Sequence, residues 1–176
     1  MDIVKKYEPG TWEKISRLPF MVAIGIEGAG RSGLSGSARE RQATLEAIQA
    51  ARTDYPGNPI LGEILGKDAQ TLEAMLARHD GVMDAIHATG LRTTEALWDH
   101  IIECLREVIP SLKKHEAGHT VSDYANWLVA IARHVAVAAK EGDFMGIGGQ
   151  RFSSAEQEFV KRLEAATREA DPDSAD

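Results

Sequence analysis

Apolar residues along this chain recur every three or four positions, the spacing of one helix face, and strict alternation is nearly absent. Start and stop signals divide the pattern into elements. Thr11 is placed to cap a short turn carrying Trp12 and Ile15. Pro19 suits the first turn of a helix running to about Ala29, since a missing N–H costs nothing there. A Ser-x-x-Glu box, Ser37 with Glu40, opens the next helix, which ends before the turn Tyr55-Pro56-Gly57. Asn58-Pro59 starts a short helix to about Leu65. Asp68 caps another, with Leu72, Met75 and Leu76 on one face, stopping near Asp80-Gly81. Val82, Met83 and Ile86 mark a further short helix ending at Gly90. A longer segment spans about Thr93 to Ile109, with Leu97, Ile101, Leu105 and Val108 at helical spacing, and Pro110 closes it. The last two helices run from Ser122 to about Lys140 and from Ser153 to about Ala170. These elements predict an all-α, single-domain bundle of seven to eight helices over residues 1–170, with a disordered acidic tail at 171–176.

The two ends of the chain read as diverged copies of one helical hairpin. Met21-Val22-Ala23-Ile24 leads into the glycine- and serine-rich stretch 28–37 and then a helix. Leu128-Val129-Ala130-Ile131 leads into the glycine-rich stretch 142–149 and then a helix. Each second helix opens with Ser-x-x-Glu, at Ser37 and at Ser153 with Glu156. Two related hairpins imply pseudo-twofold packing. The first helix of each is rich in small residues, including Gly25. A glycine inside a helix costs about 1 kcal/mol relative to Ala, and close approach of those two helices would explain it.

Composition narrows the function more than the fold. The 176 residues carry 20 Lys and Arg against 27 Asp and Glu, a formal net charge of −7. That balance, with no basic cluster interleaved with aromatics, argues against a nucleic-acid surface. Cys104 is the sole cysteine and sits among Ile101, Ile102 and Leu105, so a buried, inert thiol is expected. The start Met-Asp-Ile-Val-Lys-Lys has no apolar signal region, and the longest apolar run, Leu18 to Ile26, falls short of a bilayer span. A cytoplasmic location is the expectation.

One motif invites a sharper reading. His115-Glu116-Ala117-Gly118-His119 is a literal H-E-x-x-H, which on a helix places two imidazoles for zinc and a Glu to deprotonate the bound water. Here it follows Pro110, contains Gly118 and precedes capping signals at Thr120 and Ser122. It therefore reads as a connector of at most one turn. A third ligand is hard to place, because His134 and Glu141 would recede roughly 18 and 28 Å along the following helix. His79 and His87 fall at expected helix ends, and His100 and His134 on helix surfaces. The loop 142–151 precedes a helix as phosphate-cradling loops do, but lacks the Gly-Lys-Ser/Thr ending of a P-loop. Its Phe144, Met145 and Ile147, with Phe152, suit a loop folded back over the hairpin end. Trp98 and Trp127 could line a small-molecule pocket between hairpins, though such residues are more often core.

The paired hairpins resemble the tellurite-resistance protein B (TerB) family, whose hairpin turns read as Asp-Gly, a Ser or similar residue, and then acids opening the next helix. In the first turn, Arg31-Ser32-Gly33-Leu34-Ser35, the glycine, the apolar residue and the serine are kept, and Ser32 stands in place of the Asp. In the second, Ala139-Lys140-Glu141-Gly142-Asp143 is followed by an insertion, and the pattern resumes at Phe152-Ser153-Ser154-Ala155-Glu156. The resemblance covers about Leu18 to Ala166. It implies a cytoplasmic, non-enzymatic stress-response module that works with partners near a membrane and binds a divalent metal through turn acids. Glu141, Asp143 and Glu156 match those acidic positions, and Glu156 already has a capping role.

The leading expectation is thus a non-enzymatic helical binding or scaffold module with an unidentified protein partner, no nucleic acid and no membrane-spanning segment. A homodimer through an exposed apolar face stays open. No resident cofactor is expected beyond a divalent metal, with Glu141, Asp143, His115 and His119 as its candidate ligands. The alternative is a zinc-dependent hydrolase using His115, Glu116 and His119.

Overall fold

The computed structural model describes residues 2–29, 38–66, 71–141 and 153–170, with side chains left out at 38–40 and 138–141. A 3₁₀ turn, Ile3–Lys6, precedes seven helices: α1 (Pro9–Glu27), α2 (Ala38–Asp54), α3 (Pro59–Ile64), α4 (Leu72–Ala88), α5 (Thr94–His115), α6 (Gly118–Glu141) and α7 (Ser154–Ala170). No strand occurs among the described residues, and none of their helices is long and apolar enough to cross a membrane. The all-α expectation holds.

Three helices run on through residues expected to bound them. Pro19 lies inside α1, which begins at Pro9 rather than at Pro19. Proline cannot donate to the carbonyl four residues back, here Ile15. The Tyr124 hydroxyl of α6 donates to that carbonyl at 2.7 Å, so the break in the ladder is filled by a neighbour. Pro110 lies inside α5, five residues before its end. Both Pro110 and Arg106, whose carbonyl it frees, are exposed, so water can take the vacant acceptor. Gly81 lies inside α4, which merges the two short helices expected there into one. α6 also starts earlier than expected, at Gly118 rather than Ser122.

The capping signals fare better. Asn58 accepts from the Ile60 and Leu61 amides, and Thr93 accepts from Ala96. Ser153 and Glu156 form the reciprocal capping box, with N···O distances of 2.6 and 3.2 Å. The cap of α4 is Thr71, which accepts from Ala74, where Asp68 was expected. Asp68 itself, the Ser37–Glu40 box, both glycine-rich loops and the 171–176 tail lie outside the described side chains.

α1 is the central element. Every residue from Leu18 to Gly28 is buried, as befits a helix apolar on all sides and surrounded by others. It packs most extensively on α5 and α6. α2 lies on α6, and α7 lies on α5 and α6. The need for glycine at position 25 comes from side chains rather than from α6. A Cβ there would stand 2.9 Å from Ile101 Cδ1 of α5 and 3.2 Å from the Phe159 ring of α7. The last carbonyls of α1 are met by α5: Trp98 Nε1 donates to Gly25 at 2.9 Å and Thr94 Oγ1 to Gly28 at 3.2 Å.

Candidate functional site

The H-E-x-x-H segment is divided between two helices. His115 is the last residue of α5, Glu116 and Ala117 form the connection, and His119 is the second residue of α6. Both histidines are exposed. Glu116 points elsewhere: its Oε1 accepts from Lys6 Nζ at 2.8 Å and from the Tyr7 hydroxyl at 3.0 Å, with only 6% of its side chain exposed. Burial, and then Glu116, push the Tyr7 phenol far up, so it stays a donor. His115 packs edge-on against the Tyr7 ring at 5.1 Å. The segment thus pins the N-terminal turn to the α5–α6 connection. Among the described residues no group of three or more His, Cys, Asp or Glu is arranged to hold a metal ion. The Glu141 side chain and Asp143 lie outside those residues.

Trp98 and Trp127 are core residues. Trp98 stacks on Phe159 with centroids 5.1 Å apart, and Trp127 meets Tyr124 edge-on at 6.1 Å. Their elements come together, but the rings fill the interior instead of lining a pocket. Cys104 is buried, and its thiol is pushed up chiefly by that burial, which suits an unreactive role. His100 is half-buried and His134 exposed.

One buried group escaped the sequence reading. His79, expected at a helix end, lies mid-way along α4 and is 2% exposed. Its Nε2 faces Glu27 Oε2 at 3.4 Å, and its Nδ1 faces Asp80 Oδ1 at 3.3 Å. Glu27, also 2% exposed, takes a 2.5 Å hydrogen bond from Thr44 of α2 on its other oxygen. Neither Glu27 Oε2 nor His79 Nε2 has a properly aligned hydrogen bond. Burial alone would push the imidazole down, but Glu27 and then Asp80 outweigh it and the net displacement is upward. Two clues to this cluster were in the sequence. Glu27 ends a nine-residue apolar run at a helix C-terminus, where a negative charge is opposed by the helix dipole. Met75, His79, Val82 and Ile86 share one face once Gly81 no longer ends the helix.

A groove of about 460 Å³ lies between the first half of α1 and the middle of α4. Trp12, Glu13, Ser16 and Arg17 form one wall, and Arg78, Gly81 and Val82 the other. Arg78 is fixed in place: it donates to the Ile64 carbonyl at 2.6 Å and lies over the Phe20 ring at 5.0 Å. Arg17 is exposed and paired with Glu13 at 2.5 Å. A smaller cavity of about 60 Å³ continues along the same seam past Met21, Ile86 and Leu91.

No family model, no curated protein and no solved structure matches this chain.

Proposed function

We propose that the chain is a non-enzymatic helical binding module whose contact surface is the α1–α4 groove. One observation carries this reading. In a chain of net charge −7, the groove sets two arginines and one glutamate beside the partly exposed Trp12 and the apolar Val82. That chemistry suits a short acidic protein segment with an apolar anchor, since aromatic and arginine side chains contribute strongly at interfaces. The TerB resemblance makes stress response the expected setting, with α1–α2 and α6–α7 as its two hairpins. A divalent metal held by Glu141 and Asp143 belongs to the same proposal.

The zinc-hydrolase alternative needs Glu116 released from Lys6 and Tyr7 and the two imidazoles drawn together from different helices. Both changes would undo contacts that tie down the N-terminal turn.

The test is an amide-shift NMR titration with peptides that pair Asp or Glu with Leu or Phe. Shifts confined to α1 and α4, and lost in Arg17→Glu, would support the reading. An absence of shifts at millimolar peptide would sink it. Elemental analysis of dialysed protein separates the metal ideas. About one zinc per chain, lost in a His115→Ala, His119→Ala variant, would favour the hydrolase. Metal retained by that variant would point to Glu141 and Asp143.

A further inference from the structure

We propose that Glu27 and His79 form a proton-operated latch that fastens α4 and α2 to the end of α1, closed while His79 is an imidazolium. The geometry makes the argument. An imidazole facing a carboxylate oxygen with each nitrogen, at 3.4 and 3.3 Å, turns a lone pair to neither only when both nitrogens carry hydrogen. A neutral ring must turn a lone pair toward one of them. Asp80 is 66% exposed on its side chain and can swing into water, but Glu27 is enclosed and cannot. Neutral His79 therefore either gives up the outer contact or opposes a lone pair to the inner carboxylate. Glu27 also stands at the negative end of the α1 dipole, where a buried cation across from it compensates its charge.

Three elements meet here. α1 supplies Glu27, α4 supplies His79 and Asp80, and α2 supplies the uncharged Thr44 hydroxyl behind Glu27. The neighbouring Arg78 is turned toward the Ile64 carbonyl and the Phe20 ring. Among the described residues, Glu27 and Asp80 are thus the charges that govern His79. Glu27, His79 and Asp80 are not arranged as a cation site, since among the described residues no group of three or more such side chains is placed to hold a metal ion. Because the imidazole is displaced upward in the folded chain, its contribution is full below the ordinary histidine value. It is lost as pH rises through the higher folded value. The latch is closed in mildly acidic solution and loosens on the alkaline side.

The experiment follows the His79 ring by NMR through a pH titration of the full chain, beside amide exchange of α4. His79 should titrate above the ordinary value of about 6.5. Protection of the α4 amides, corrected for intrinsic exchange, should fall about tenfold across that titration. His79→Gln should abolish the pH dependence. Should that variant fail to fold, Asp80→Asn serves, since its side chain faces solvent, and it should move the His79 titration down. Three results would overturn the latch: His79 titrating at or below the ordinary value, an Asp80→Asn titration that does not move, or the same pH-dependent protection in His79→Gln. A stoichiometric divalent ion bound by the wild type and released by His79→Gln would replace it with a metal site.

Discussion

Tyr124 and Gly25 show how single side chains permit the central helix. The proline at position 19 leaves the Ile15 carbonyl without its ladder donor, and the fully buried Tyr124 phenol replaces it. Tyr124→Phe keeps the ring and orphans that carbonyl, so it should destabilise the fold by about 1–3 kcal/mol in urea melts. An unchanged midpoint would mean that water reaches the carbonyl. At Gly25 two effects compete. Alanine gains about 1 kcal/mol of helix propensity, but its methyl would press on Ile101 and Phe159, both fully buried. Overpacking costs about 1–3 kcal/mol in a dense core, so Gly25→Ala should be net destabilising and Gly25→Val more so. A stabilised Gly25→Ala variant would show that Ile101 can swing aside freely.

Helix boundaries were the least legible features, and the reason is the same each time. Proline and glycine are local stop signals, yet whether a helix stops depends on who can take the freed backbone groups and which way the residue faces. Pro19 is rescued by a residue 105 positions later in the chain, and Pro110 by its place on the wet side of α5. Pro110→Ala should therefore restore a ladder bond at an exposed site and raise the thermal midpoint, with no loss of secondary structure by circular dichroism. Caps need only their own neighbours, and those expected at Asn58 and Ser153 form. Ser153→Ala should cost α7 about 1 kcal/mol and fray its first turn, visible as lost amide protection at Gln157 and Glu158.

At the scale of the whole molecule, the N-terminal turn is tied in through polar contacts on an apolar bundle. Glu116 holds Lys6 and Tyr7 more than a hundred residues away. Glu116→Gln should weaken that tie by about 1–2 kcal/mol and speed tryptic cleavage at Lys5 and Lys6. If the same variant instead abolished a zinc-dependent hydrolysis and left cleavage unchanged, the binding-module reading would fall. Across the molecule from that tie, Glu27 and His79 bind α1, α2 and α4, and the groove with Trp12 and Arg17 opens between two of those helices. The legible parts of this site were residue types: an acid ending an apolar run, and an H-E-x-x-H with unsuitable flanks. Its geometry was not, because the glycine two residues on marks His79 locally as the end of a helix.

What the residues by themselves determined is the helical class, the capped starts of α3 and α7, and the apolar stripe of α5. These follow from periodicity and from hydrogen bonds within a few residues. Only the tertiary structure decided that α1, α4 and α5 run unbroken, that the H-E-x-x-H is split between two helices, and that Glu27 meets His79. Each of those depends on what the packed chain places around a residue, a distant donor or charge at Pro19 and Glu27 and open water at Pro110, and no local pattern specifies those surroundings.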